Sequence, residues 1–200
     1  MDSLEQLVAS AVQDFDAAKL EARRYAATTG QRFVEDGLET ATAEGAGTIG
    51  VELSRVPLDA VLVPLGNGAL LSGVALALRT LAPGVKIVAV QAAGAPAMTE
   101  SLQTGRLVVH EEMQTIADGI GVRIPIPEAL DDLRGLIDEF IVVNEASILQ
   151  GMQLIHRHAG LVVEPSGAVG VAALLENPNR FAGQRVATIL CGGNLTPEQM

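Results

Sequence analysis

The chain has 200 residues, is 48% hydrophobic and carries a formal net charge of −11 at pH 7, so it can build a sizeable core in one domain, or in one domain with a small appendage. The acidic balance argues against nucleic-acid binding, which needs Lys and Arg to neutralise phosphates, and against an anionic membrane surface. A single cysteine, no membrane-length apolar run and no basic leader at the start of the sequence together predict a cytoplasmic protein without nucleic-acid or membrane partners.

Helical and strand patterns alternate along the chain. Apolar residues at helical spacing predict helices over 4–28 and 41–54, separated by a short strand at 32–34. Short apolar runs bounded by turns predict strands over 60–65, 86–91, 139–143, 161–164 and 185–191. Further helices are predicted at 70–81, 95–104, 128–136, 145–158 and 167–176. This alternation is typical of α/β proteins, so we expect a three-layer parallel sheet with helices on both faces.

A glycine-rich turn joins the strand at 60–65 to the helix at 70–81. It reads Gly66-Asn67-Gly68, and the N–H groups of such a turn point outward together with those of the first helical turn. The dipole of the following helix adds positive potential at the same place. The sequence therefore predicts a site for a phosphate-bearing ligand.

Three more turns are similarly rich in glycine or polar residues, and the second and third of them follow predicted strands. They are Thr115-Ile116-Ala117-Asp118-Gly119, Glu164-Pro165-Ser166-Gly167-Ala168 and Cys191-Gly192-Gly193-Asn194. In open parallel sheets, ligands bind at the carboxyl ends of the strands. We therefore expect the four loops to converge on one rim of the sheet.

Taken in order, these four loops resemble those of the fold-type-II pyridoxal-phosphate enzymes, in particular the threonine/serine dehydratase and serine racemase family. That family has a glycine-rich phosphate loop after a V-P strand, then T-I-A-D-G, E-P-[SA]-G-A and [SC]-G-G-N. The stretch 44–50 also resembles its G-Q-G-T-I sequence, and the similarity covers about residue 15 to the end. The resemblance implies the large domain of the tryptophan-synthase-β-like fold, pyridoxal 5′-phosphate as cofactor, and a homo-oligomer. The implied activity is that of an ammonia-lyase, which converts threonine or serine to a 2-oxo acid and ammonia.

The resemblance also implies roles for individual residues. The backbone of residues 66–70 would bind the cofactor phosphate, and Gly119 would let the backbone approach the ring. Cys191 would face the pyridine nitrogen as a neutral group, which suits β-elimination over transamination. The implied cofactor-binding set is Gly66, Asn67, Gly68, Ala69, Leu70, Gly119, Glu164, Cys191 and Asn194.

The chain departs from the family in lacking the S-x-K-x-R motif of the Schiff-base lysine and the S-x-G-N-H substrate loop. Its two lysines, Lys19 and Lys86, lie in other contexts, so we expect no catalytic residue in this chain and no activity from it alone. The chain resembles the C-terminal part of the family, with residues 1–29 as a remnant of the small domain and 30–200 in the large domain.

Two smaller departures concern the glycine turn and a metal. Asn67 and Ala69 stand where the family has glycines, so they are expected to tolerate glycine-like backbone geometry. Gln91 stands where racemase-like members place a metal-binding carboxylate, so no metal site is expected.

Simpler interpretations stay open. Cys191 could be a buried small hydrophobe, Glu164 could cap the following helix, and Asp118 could be an ordinary turn residue. A dinucleotide-binding turn would need a glycine at position 71, which is Leu71. The main functional alternative is a non-catalytic α/β domain that binds a phosphorylated ligand or a partner protein.

Overall fold

The computed structural model describes residues 15–196, with side chains from residue 18. The chain divides into two compact units, and the boundary along the sequence falls between Glu35 and Asp36. The first unit holds helix α1, Phe15–Thr29, which is followed by Gly30 at φ +72°. The start of the predicted helix at 4–28 lies outside the described residues.

The predicted strand at 32–34 is wrong. Residues 31–35 have no regular secondary structure, and within the described residues no strand pairs with them. Their side chains contact helix α1 instead: the Arg23 guanidinium lies 5.5 Å from the centre of the Phe33 ring. A short apolar run without a neighbouring strand cannot form a ladder, whatever its propensity.

The second unit is built on a four-stranded parallel sheet. Its strands are β1 (Ala60–Pro64), β2 (Lys86–Ala92), β3 (Glu139–Val143) and β4 (Val186–Thr188), in the order β3-β2-β1-β4. The described helices are α2 (Thr40–Leu53), α3 (Ala69–Leu81), α4 (Ala97–Thr104), α5 (Pro127–Leu133), α6 (Glu145–Ala159) and α7 (Pro165–Glu176). The predicted α/β class with a parallel sheet is confirmed.

Two apolar layers cover the sheet, one on each face. Val61 and Val63 of β1 pack with residues of α3, α4 and α5, whereas Leu62 packs with residues of α6 and α7. All five residues of β1 are buried, because this central strand is covered from both sides. The carboxyl end of β1 therefore lies between the ends of β2 and β4, at the end of the sheet where ligands bind in such folds.

The two last predicted strands need correction. Residues 161–164 join no ladder with the described strands, and only Val186–Thr188 of the predicted strand at 185–191 pairs with β1. Beyond Thr188 the chain leaves the sheet, and the Gly192 carbonyl accepts a hydrogen bond from the Glu164 N–H at 3.1 Å. The two segments thus bond to each other at this point instead of extending the sheet. The remaining predicted helices and strands of this unit are found with ends shifted by at most three residues.

No helix in the described range 15–196 is long and apolar enough to cross a membrane.

Candidate functional site

The glycine turn leads from the buried strand β1 into helix α3 with its N–H groups unused. Gly68 is the residue before the helix and has φ +102°, in the left-handed region that favours glycine. The helix has no side-chain cap, and within the described part of the chain the N–H groups of residues 66–70 have no hydrogen-bond acceptor. Helix α6 differs, because the Asn144 side chain accepts a hydrogen bond from the Ser147 N–H at 2.9 Å. The start of α3 is therefore open to an anion.

The non-glycine residues of the turn do not need the left-handed backbone conformation that the sequence suggests. Among the described residues only glycines have positive φ, so Asn67 and Ala69 adopt ordinary backbone geometry. The expectation that both need glycine-like conformations is wrong. The sharp change of direction falls on Gly68 alone, so the neighbouring positions accept side chains.

Close backbone approaches join the glycine turn to the loop at 115–119 and to the start of α7. A Cβ built on Gly66 would lie 3.3 Å from the Cα of Ile120. A Cβ built on Gly119 would lie 2.8 Å from Ser166 Oγ and 2.9 Å from Glu164 Oε1. Three of the four predicted loops are therefore in contact, and Gly119 stands where a side chain would overlap its neighbours.

The fourth loop, at 191–194, is held against Glu164. The Asn194 N–H donates to Glu164 Oε2 at 3.0 Å, and a side chain on Gly192 would overlap the Glu164 carboxylate. Cβ positions on Gly167 would lie 3.4 Å from the Cys191 nitrogen. All four loops therefore meet at the carboxyl end of the sheet, as their positions in the sequence predict.

Glu164 and Asp118 have different local partners. Glu164 precedes helix α7, but its side chain makes no capping hydrogen bond there and binds the 191–194 loop instead. Asp118 is exposed, and its Oδ1 accepts a hydrogen bond from the Gly119 N–H at 3.0 Å within a short 3-10 helix, Asp118–Ile120. That contact is typical of an ordinary turn residue.

Cys191 is an exposed residue, but its thiol is partly shielded from solvent by the surrounding protein and lies near Glu164. Desolvation by the surrounding protein, and then the negative charge of Glu164, raise the pKa of the Cys191 thiol above its usual value. The thiol therefore stays neutral at physiological pH, which argues against a reactive thiolate. Asn194, also exposed, reaches the site through its backbone.

The sequence does not predict two features of the site. Ser166 is 1% exposed, and its Oγ faces Gly119 but has no hydrogen-bond partner among residues 15–196. Asp36 accepts hydrogen bonds from the Asn67 side chain. Ser166 lies inside the third loop motif, so its burial could have been suspected. Nothing in the sequence links Asp36 to a turn 31 residues away.

Gln91 is fully buried at the end of β2 and supports a helix. Its Oε1 accepts a hydrogen bond from the Thr99 N–H at 2.9 Å, in the first turn of α4. An amide suits this position because it can accept the N–H bond without burying a charge.

Lys19 is bound by a carboxylate within the first unit, and Lys86 lies away from this cluster. Within the first unit, Lys19 Nζ lies 3.2 Å from Glu35 Oε1, and Glu35 also contacts Arg23. Lys86 opens β2, with its Nζ 3.8 Å from Glu139 Oε2. It therefore stands at the amino end of the sheet, opposite to the four loops.

Comparison with known proteins agrees with this geometry. Residues 3–192 match the family described as "Pyridoxal-phosphate dependent enzyme". The chain is 38% identical over 183 residues to an L-threonine ammonia-lyase of Thermotoga maritima, covering 90% of this chain and 45% of that protein. It is 34% identical over 177 residues to a beta-hydroxyaspartate dehydratase of Paracoccus denitrificans, covering 87% and 56%. The chain thus spans about half the length of these curated relatives.

Solved structures show the same fold. Maize serine racemase superposes with a TM-score of 0.83 at 30% identity, over 92% of this chain and 59% of that one. Threonine deaminase isoform 2 from Solanum lycopersicum gives a TM-score of 0.85 at 28% identity, over 92% and 55%. These matches leave no role for the dinucleotide-binding interpretation of the glycine turn.

Proposed function

This chain belongs to the family of pyridoxal-phosphate dependent enzymes, and on that premise we propose that it carries the phosphate-binding part of an ammonia-lyase site. The proposed reaction converts a small hydroxy amino acid, such as threonine or serine, to a 2-oxo acid and ammonia. The relatives named as threonine ammonia-lyase support this substrate class. The proposed domain division, with residues 1–29 belonging to a small domain and 30–200 to the large one, rests on the resemblance of the sequence.

The unused N–H groups of residues 66–70 carry the proposal. They lie at the end of the central strand and at the start of a 13-residue helix, and a phosphate dianion would accept hydrogen bonds from several of them. The residues present therefore fit the phosphate group of pyridoxal 5′-phosphate. Gly66, Asn67, Gly68, Ala69 and Leu70 are the proposed phosphate ligands.

The neighbouring loops fit the ring of the same cofactor. We assign Cys191 to the pyridine nitrogen, Gly119 to the face of the ring, and Glu164 and Asn194 to the surrounding wall. A thiol kept neutral by desolvation and by Glu164 would leave that nitrogen largely unprotonated, which would moderate the electron-withdrawing power of the bound cofactor. When bound, pyridoxal phosphate supplies the stabilisation of negative charge at the substrate α-carbon. The protein groups hold, orient and tune it.

The alternative of a non-catalytic domain that binds a phosphorylated ligand has one observation in its favour. Covalent catalysis in this family needs an amine at the cofactor, and neither Lys19 nor Lys86 is free at the four loops. The 200 residues alone are therefore proposed to bind the phosphate group without performing the reaction.

Pyridoxal 5′-phosphate is expected to bind this chain reversibly and without a lysine adduct. The phosphate turn and Cys191 provide part of a site, but no lysine amine is available to form a covalent bond. The sequence has no Trp and one Tyr, so cofactor absorbance is easily followed during equilibrium dialysis. We expect saturable binding of one molecule, complete recovery on dialysis, and no borohydride-stable adduct at Lys19 or Lys86. Absence of saturable binding would contradict the proposed site.

Self-association is the second expectation for the chain. Leu149, Leu161 and Val162 are 48%, 48% and 58% exposed and border a cavity of about 320 Å³ that is mostly apolar. Contiguous exposed apolar surface favours association with another surface of the same kind. We propose a homo-oligomer, and sedimentation velocity should show species larger than 20.7 kDa that increase with protein concentration. A monomer at all concentrations would contradict it.

A cytoplasmic location is proposed on the single cysteine alone.

A further inference from the structure

We propose that Asp36 is a positioning residue for the phosphate turn: its carboxylate holds the Asn67 side chain and thereby fixes the direction of the N–H groups at 66–70. The inference rests on the proposed function, because it concerns the same phosphate site. It assigns a role to a residue outside the proposed cofactor-binding set.

The contact between the two side chains is direct. Asn67 Nδ2 lies 3.2 Å from Asp36 Oδ1 and 3.4 Å from Asp36 Oδ2. Asn67 is only 5% exposed, and its side-chain carbonyl oxygen is buried without a hydrogen-bond partner in the described part of the chain. A cavity of about 20 Å³ beside it has room for a single water molecule. The Asn67 amide therefore donates a hydrogen bond to the Asp36 carboxylate.

Backbone packing at Gly37 strengthens the same link. Gly37 has φ +82°, and a Cβ built there would lie 2.9 Å from the Asn67 carbonyl oxygen. The residue after Asp36 therefore packs directly on the backbone of the turn. On another side, a Cβ on Gly68 would lie 2.8 Å from Leu133 Cδ1. The turn is thus packed against Gly37 and Leu133, and among the described residues neither contact uses its N–H groups.

Because Asp36 is charged, the proposal can be tested by whether substituting it weakens or tightens anion binding. A carboxylate near a phosphate site weakens anion binding through repulsion. If Asp36 acted through charge alone, removing it would tighten binding in every variant. If it acts by accepting the Asn67 hydrogen bond, then losing the acceptor weakens binding, whereas losing only the charge does not.

The test compares Asp36→Ala with Asp36→Asn in the 200-residue chain, with pyridoxal 5′-phosphate and inorganic phosphate as probes. Asp36 is exposed, so both variants are expected to fold. Asp36→Ala should weaken binding about three- to tenfold, the effect of one net hydrogen bond. Asp36→Asn keeps an acceptor oxygen and should bind as tightly as the wild type or more tightly. Asp132→Ala, which removes another exposed carboxylate beside the same cavity, should also bind at least as tightly as the wild type.

A double substitution and a measurement without ligand complete the test. Asn67→Ala should weaken binding at least as much as Asp36→Ala, because it removes the same hydrogen bond and keeps the Asp36 charge. The two substitutions combined should bind no worse than Asn67→Ala alone. In the free chain, NMR order parameters of the N–H groups at 66–70 should fall in Asp36→Ala and stay unchanged in Asp36→Asn. Equal or tighter ligand binding by Asp36→Ala overturns the inference. If the wild type binds neither probe, the proposed function fails instead, and unchanged order parameters would then overturn the positioning role as well.

Discussion

The purified 200-residue chain, supplied with pyridoxal 5′-phosphate, is expected to form no 2-oxo acid from threonine or serine. The reaction needs a lysine amine at the cofactor, and the sequence offers two candidates. Lys19 is bound by the buried Glu35 carboxylate. Lys86 begins the seven-residue strand β2, whose far end borders the site, which places it roughly 20 Å away at about 3.3 Å per residue.

The measurement is a coupled assay for pyruvate and 2-oxobutanoate, with free cofactor and amino acid as the blank. Lys86→Arg is the matched control and should change neither the absence of product nor the binding of cofactor. Product formation well above the blank, lost in Lys86→Arg or in Lys19→Arg, would assign the catalytic amine to that lysine. It would also refute the proposal that the chain is inactive alone.

Gly68→Asp is expected to abolish measurable binding of phosphate and of pyridoxal 5′-phosphate. The substitution puts a side chain at φ +102°, against Leu133, and adds a negative charge where the phosphate is proposed to lie. Losing two or three hydrogen bonds to a charged group costs about 1.5–3 kcal/mol each. A total of roughly 3 kcal/mol or more corresponds to an affinity loss above about a hundredfold.

Two control variants separate this effect from general damage. Gly84→Asp adds the same charge at a position where a Cβ meets no atom within 4 Å, in the turn before β2. His156→Ala changes an exposed side chain on helix α6 that borders the apolar cavity. Both should bind the cofactor as the wild type does, measured by equilibrium dialysis at matched helical content. Equal losses in Gly68→Asp and His156→Ala would mean that the phosphate site lies elsewhere.

The sequence predicts the central part of the fold well because its signals there are local. The run at 60–65 is buried on both faces and reads as a continuous apolar strand, and the glycines after it mark the turn into α3. The two strand predictions that fail, 32–34 and 161–164, are short apolar runs without a partner strand. Apolar composition favours a strand, but a ladder needs a neighbour, and a single run of residues carries no information about that neighbour.

Sequence alone determined the α/β class, the order of the four loops, the position of the glycine turn and the resemblance to the pyridoxal-phosphate enzymes. Each of these depends on neighbouring residues or on short motifs. Tertiary structure decided which atoms meet: Glu164 with the loop of Cys191, Gly119 with the buried Ser166, and Asp36 with Asn67. It also decided that Lys86 stands at the amino end of the sheet. These contacts join residues far apart in the chain, and only the packing of the helices and the register of the parallel strands bring them together or keep them apart.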